Sequence, residues 1–371
     1  MIIFLLVFLT IYGGINFYAF FKAKSVFQFS GKTEIIIITL LILLVLAPIL
    51  TRLAEKIHWE MLARTIAYCG YLWMAFVFLF FFLNITFDIA RYVLKFLYPG
   101  SLNIPLRTIS LCLAFFLSFA FVVYGYFDAR NIRVKTLEIR TDKALPDNGR
   151  IRIVQISDVH IGLIVRNGRL QNILKTVIDA KPDILVSTGD LLDGELDNVM
   201  SEANQLAQIK PRYGKYAVTG NHEFYAGIEK SMEFTRNAGF EILRNEVKNT
   251  AGIKIIGLDD PTARQMGLTA GRSIISDLFP QKTDNEFVLL LKHQPVVREN
   301  ANFDLQLSGH THRGQLFPFI FFTRLFFPLS YGYHELNENK AIYVSSGAGT
   351  WGPPVRFLAP PEITVIDLTN K

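Results

Sequence analysis

Up to about residue 128 the chain is dominated by four long apolar segments, residues 2–21, 35–50, 65–87 and 108–127. A helix rises about 1.5 Å per residue, so roughly 20 apolar residues cross a hydrocarbon core about 30 Å thick. Three segments meet that length, and the second meets it when its flanks join it. The pattern predicts four transmembrane helices. From about Arg130 it changes to short apolar runs punctuated by Gly, Asp, Asn and His: residues 150–156, 184–187, 216–219, 253–258, 287–291, 305–307, 341–344 and 363–366. Helix-like stretches at 168–180 and 201–209 lie between several of them, and residues 142–149 (DKALPDNG) make a turn-rich first loop. Strand-length runs interleaved with helices predict an α/β sandwich. The expected division is a transmembrane region, residues 1–130, and a second domain, residues 131–371.

Composition agrees with a membrane protein: 51% of residues are hydrophobic and 32 are phenylalanine, too apolar for an ordinary soluble chain. The first segment has no basic residue before it and exceeds a typical signal-peptide core, so a span is expected rather than a cleaved leader. Cys69 and Cys112, the only cysteines, both fall inside spans. No disulfide is expected in the second domain, and both are expected to be small buried apolar residues. Four spans put both chain ends on one side. Loops away from the second domain carry Lys22, Lys24, Lys32, Arg91, Lys95 and Arg107; those on its side carry Arg52, Lys56, Arg64, Arg130, Arg133, Lys135 and Arg140. Near-equal counts discriminate little, and the orientation drawn from them is a cytoplasmic second domain. The net charge of +6 suits an anionic membrane surface, and nothing in its distribution forms a nucleic-acid groove. No Asp, Glu, Lys or Arg lies well inside a span, which argues against an ion path.

The chemistry gathers where the strand-length runs end. SDVH places Asp158 and His160 there, STGD places Asp190, TGNHE places Asn221 and His222, LKHQ places His293, and SGHTH places His310 and His312. Loops beyond the carboxyl ends of strands collect distant side chains into one crevice. Taken singly, Asp158 and Asp190 are ordinary helix caps or turn formers and Asn221 an ordinary turn residue. Together they place five of the seven histidines at strand ends. A mixed Asp, His and Asn set suits Mn, Fe or Zn better than Ca or Mg.

At these residues the chain resembles the calcineurin-like metallophosphoesterases, through D-x-H (Asp158, His160), G-D (Gly189, Asp190), G-N-H-E (Gly220 to Glu223), His293 and G-H-T-H (Gly309 to His312) in order. The resemblance runs from about Arg150 to the C-terminus. It implies a four-layer α/β/β/α sandwich with two divalent metal ions, manganese first, iron or zinc as alternatives. One ion would be held by Asp158, His160 and His312, the other by Asn221, His293 and His310, with Asp190 bridging. Catalytic roles fall to Asp190 and to His222, the implied leaving-group acid or phosphoryl-oxygen stabiliser. The nearest likeness is to the membrane-associated bacterial branch, including enzymes that split UDP-2,3-diacylglucosamine. It implies a bacterial inner membrane and hydrolysis, by a metal-bridging hydroxide, of a lipid-linked phosphodiester or pyrophosphate. Rival readings are a phosphodiesterase or phosphomonoesterase for soluble substrates and a non-catalytic membrane adaptor; no proposed ligand is missing, which disfavours the adaptor. The oligomeric state is not legible.

One departure stands out: the branch reads GHTHGGQ, whereas this chain has Arg313. Its guanidinium would clamp a second phosphate or point to solvent. Asp193 in GDLLDG orients a ligand histidine or simply forms a turn. Arg356 faces substrate phosphate or pairs with an acid such as Glu362. Residues 316–329 (LFPFIFFTRLFFPL) hold six phenylalanines and one charge, Arg324. The segment is too short and too rich in proline to span. It is a buried strand, or an exposed loop that meets lipid at the rim of the site, with Phe319 and Phe321 as substrate contacts. Residues 88–100 (DIARYVLKFLYPG) offer a second interfacial element, or an ordinary loop.

Overall fold

The structure is a computed structural model describing residues 2–98, 106–146, 149–194, 199–269, 275–279, 286–298, 301–337 and 340–370. Asp147 and Asn148 of the turn-rich loop, and Pro99 and Gly100 at the end of the 88–100 segment, lie outside the described residues. Two compact units divide the chain. One is Met1–Phe127 with Leu316–Pro318 and Gly352–Phe357; the other is Asp128–Gln315 with Phe319–Trp351 and Leu358–Lys371.

The first unit holds four helices, α1 (Ile2–Phe27), α2 (Lys32–Lys56), α3 (Glu60–Leu97) and α4 (Leu106–Asp128), each long and apolar enough to cross a membrane. At 38 residues, α3 reaches about 57 Å, well beyond a hydrocarbon core, and takes in residues 88–97 as helix rather than loop. Small residues let helices approach closely: a Cβ on Gly70 of α3 would fall 2.3 Å from the Cβ of Ala47 in α2. Between helices, Trp73 Nε1 of α3 donates to Asn16 Oδ1 of α1 at 2.8 Å. Leu316 and Val355 from the two returning segments pack with Ala75, Leu79 and Val122, and Phe357 stacks on Phe121 at 4.5 Å. Cys69 is exposed and Cys112 only half-buried, against the expectation of burial. In a helix apolar all round, apolarity does not mark the inner face.

In the second unit the strands are β1 (Arg133–Thr141), β2 (Arg150–Ile156), β3 (Ile184–Ser187), β4 (Lys215–Ala217), β5 (Glu241–Ile242), β6 (Glu246–Thr250), β7 (Ile253–Gly257), β8 (Phe287–Leu291), β9 (Leu305–Ser308), β10 (Gly332–Asn337), β11 (Lys340–Val344) and β12 (Glu362–Asn370). The helices are α5 (Gly168–Asp179), α6 (Met200–Ala207), α7 (Asn221–Tyr225), α8 (Ile228–Asn237), α9 (Thr262–Gln265) and α10 (Ile320–Phe326). The strands form two six-stranded sheets ordered β1-β12-β2-β3-β4-β5 and β10-β11-β9-β8-β7-β6. In the first, β2 to β5 run parallel; in the second, β7, β8, β9 and β11 do. Parallel strands buried on both faces read as unbroken apolar runs, which is why β3 (ILVS) and β8 (FVLLL) are buried at every position. Ile153, Ile184 and Val186 of one sheet share a core with Ile255, Leu289 and Leu305 of the other. α5 turns its apolar stripe, Leu170, Ile173, Leu174 and Val177, inward. This mixed α/β sandwich aligns the carboxyl ends of β2, β3, β4, β8 and β9, and every strand-end residue picked from the sequence follows one of them.

Candidate metal centre

The backbone of the strand-end loops is strained. Asp158, His160, Asp190, His310 and His312 all have φ between +48° and +73°, a left-handed region costing non-glycine residues of order 1–3 kcal/mol each. Such strain persists where surrounding bonds over-determine it. Here the loops are cross-tied: His160 N–H donates to Asp190 O, Asp158 N–H to Gly189 O and Gly309 N–H to His293 O. Glu223 adds the most. Its buried carboxylate accepts from Asp190 N at 3.0 Å, Leu191 N at 2.8 Å, Leu192 N at 3.3 Å and Gly220 N at 2.6 Å, locking the loop after β3 to the loop after β4. Glycines pass where no side chain fits: a Cβ on Gly309 would lie 1.9 Å from Ser157 Oγ and 2.2 Å from Asp158 Oδ2.

This scaffold brings the side chains together. Asp158, His160 and His312 form one group and Asp190, His293 and His310 another, each with one ligand atom per residue inside a 4.8 Å span, and His160, Asp193 and His222 form a third that shares His160 with the first. His160 Nε2 stands 3.0 Å from His312 Nε2, which is 3.5 Å from Asp158 Oδ1. In the second group His293 Nε2 is 3.2 Å from Asp190 Oδ2, 3.2 Å from Asn221 Oδ1 and 3.1 Å from His310 Nδ1. Two ligand atoms about 2.0–2.1 Å from one ion, at an angle between square and tetrahedral, stand about 2.9–3.4 Å apart. Four of the five spacings fall in that range and the fifth, His312 to Asp158, lies just beyond it. Asp190 Oδ2 also lies 3.7 Å from His160 Nε2, so one carboxylate reaches both groups, while its Oδ1 accepts from His222 N at 2.9 Å.

Outer contacts orient these ligands. His293 Nδ1 faces the carbonyl of Thr188 at 2.8 Å, which fixes the proton there and leaves Nε2 free to coordinate. Asp193 Oδ1 lies 3.3 Å from His160 Nδ1 and 3.4 Å from His222 Nδ1, so of its two expected roles the geometry bears on the orienting one. Burial dominates the electrostatics. It lifts Asp158 above the usual carboxylate range, opposed by His293. It also opposes ionisation of Asp190, yet His293 and His222 hold that group well below the range. Burial disfavours a charged His293, but Asp190 raises it well above an ordinary histidine. Burial, then repulsion by His293, pushes His310 down to about 3. The carboxylates and imidazoles here compete for protons in a dry space, a set suited to sharing divalent cations instead.

Of the other site candidates, Arg313 has φ +51° and ψ 30°, a conformation natural to the glycine it replaces. Its guanidinium lies 4.3 Å over the Tyr331 ring. Arg356 is fully buried, its N–H bonded to Gly125 O within the helical unit, while Glu362 accepts from Tyr331 and Tyr343 hydroxyls. Phe319 and Phe321 are 46% and 57% exposed, and the segment around them is a short helix rather than a buried strand. Three residues escaped the sequence reading. Glu223 stood inside GNHE, where nothing in the sequence marks its carboxylate as an acceptor of backbone N–H groups rather than a ligand. Tyr225 and Trp351, exposed aromatics whose rings sit 5.6 and 6.0 Å from that of His222, carry no periodic signal.

Residues 151–314 match the family model described as calcineurin-like phosphoesterase. An uncharacterized metallophosphoesterase of Aquifex aeolicus is 39% identical over 253 residues, 67% of this chain and 96% of its own. A transmembrane protein with metallophosphoesterase domain from Danio rerio is 33% identical, over 69% of this chain and 62% of its own. Among solved structures, the Pseudomonas putida nuclease MPE aligns at a TM-score of 0.30 and 15% identity, covering 54% of this chain and 77% of that one. With the Aquifex aeolicus relative matched over nearly its whole length, the chain belongs to the calcineurin-like metallophosphoesterases, metal-dependent phosphoester hydrolases, here joined to four apolar helices of membrane-crossing length.

Proposed function

We propose that this protein is a membrane-anchored, dinuclear phosphoesterase that hydrolyses a lipid-linked phosphodiester or pyrophosphate. The observation that carries the reading is Asp190: one buried carboxylate oxygen within 3.7 Å of a nitrogen in each of two ligand groups. Asp158, His160 and His312 would hold one divalent ion, and Asn221, His293 and His310 the other, with Asp190 shared. Two such ions, manganese first, iron or zinc otherwise, supply positive charge to phosphoryl oxygens and make a hydroxide nucleophile available near neutral pH. His222, whose Nδ1 meets the main-chain carbonyl of Asp193 at 3.0 Å and its carboxylate at 3.4 Å, protonates the leaving oxygen or donates to a phosphoryl oxygen. Four apolar helices support a bilayer-borne substrate, as do the exposed Phe319 and Phe321, suited to acyl chains. The proposed setting is a bacterial inner membrane with the catalytic domain on the cytoplasmic face and no nucleic-acid partner.

Asp190→Asn and His312→Ala, made separately in the full chain, should abolish turnover of a phosphodiester with manganese while the protein stays folded by circular dichroism; turnover retained by either contradicts the assignment. Phe319→Ser with Phe321→Ser should depress hydrolysis of a lipid phosphodiester far more than that of a water-soluble one, and equal loss on both counts against a lipid substrate.

A further inference from the structure

α10 is the least buried apolar element of the second unit. None of its seven residues is buried, and Leu325 and Phe326 are 77% and 79% exposed. At about 100° per residue, Phe321, Phe322, Leu325 and Phe326 fall within an arc of about 140°, with Thr323 and Arg324 outside it. That is the pattern of a helix lying in a membrane interface, with a basic residue on its polar side. A protein partner would also cover apolar surface. The choice of lipid rests on the chain itself: four membrane-crossing helices keep an exposed apolar tip at high effective concentration beside a bilayer.

The segment following α10 is fastened to the loop that carries two of the proposed ligands. The Phe327 ring packs against His310 at 4.9 Å, Thr311 Oγ1 donates to Ser330 O at 2.6 Å, and Arg313 lies over Tyr331. Three of four successive loop residues are held by one short return segment. We propose that α10 inserts into the bilayer interface and, through these three contacts, holds the His310–Arg313 loop at the level of lipid head groups. The membrane contact does not depend on the catalytic reading; its consequence for lipid turnover rests on it.

The test uses the full chain in nanodiscs of phosphatidylethanolamine with phosphatidylglycerol, with photoreactive benzoylphenylalanine replacing Leu325 and, as control, Glu246, an exposed residue of edge strand β6. Irradiation should give a phospholipid adduct at position 325 at least ~tenfold above that at position 246. An adduct at twice the chain mass, or lipid labelling equal at the two positions, overturns the proposal. Because labelling is read without turnover, the Asp190→Asn chain must give the same adduct, so failure here leaves the metal reading standing. In a second arm, Leu325→Ser with Phe326→Ser should lower turnover of a nanodisc-borne phosphodiester at least ~tenfold and change that of bis(p-nitrophenyl) phosphate by less than ~twofold. Equal loss on both substrates overturns the proposed link between the helix and the metal loop.

Discussion

Replacing Glu223 with glutamine should loosen the metal centre without touching any proposed ligand. The wild-type carboxylate accepts four backbone N–H groups, Leu191 and Leu192 on Oε1 and Asp190 and Gly220 on Oε2. Glutamine keeps one oxygen and turns the other into a donor, so two of the four N–H groups are left facing an amide nitrogen. Each buried donor deprived of its acceptor costs roughly 1–3 kcal/mol, giving about 2–6 kcal/mol for the pair. Burial and the nearby Asp190 both push Glu223 above the usual carboxylate range, against the bond from Gly220, so neutralisation returns part of that cost. A net of about 3 kcal/mol is expected, roughly a hundredfold in the opening equilibrium at about 1.4 kcal/mol per decade. Native-state hydrogen exchange in the full chain reads it directly. The amides of Asp190, Leu191, Leu192 and Gly220 should exchange about a hundredfold faster in Glu223→Gln, while those in the middle of β8 stay as slow as before. Unchanged exchange at all four would refute the argument that this side chain clamps the two ligand loops.

Gly309→Ala should be nearly as damaging as loss of a ligand. Its Cβ falls on Ser157 Oγ and Asp158 Oδ2, so elemental analysis should show about one bound ion per chain and turnover should drop at least ~100-fold; two ions and full activity would contradict the packing. Asp193→Asn should lower kcat about 10–100-fold with little change in KM, as expected of a carboxylate that faces His160 Nδ1 at 3.3 Å rather than binding substrate, the bond from His222 to the Asp193 carbonyl being kept. A change confined to KM would reassign it. Asp367 accepts from Arg152 through both oxygens, and that bond, with Arg150, holds its carboxyl below the usual range against burial. Its stabilising contribution is therefore present above the unfolded-state pKa and lost as pH falls through the lower folded value. Asp367→Asn should unfold at lower urea concentration than wild type at pH 7, with the gap closing in acid; a gap independent of pH would contradict the ion-pair explanation.

Most of the sandwich was legible because its central strands are buried on both faces. β2, β3 and β8 coincide with the apolar runs at 150–156, 184–187 and 287–291. The strands that escaped were β1, β5, β6 and β10. All four lie at sheet edges and carry sequences such as EVKNT and GYHELN, where one face and one backbone edge meet solvent and no apolar run is required. The candidate ligands were legible because imidazole, carboxylate and amide at successive strand ends share one chemistry. The clamp was not, since the four backbone donors that converge on Glu223 come from two loops, one of them turning left-handed at Asp190, which no local periodicity records. Likewise, the greasy run after His312 did not disclose that it folds as a short helix or that its end returns to His310, Thr311 and Arg313.

Metal content of the purified full chain, loaded with manganese and weighed by native mass spectrometry, bears most directly on the central claim. Two ions per chain are expected for the wild type, falling to one or none in Asp190→Asn because that carboxylate is shared. A wild-type chain that turns over phosphodiester with a single ion, or an Asp190→Asn chain that keeps both, would contradict the shared dinuclear centre.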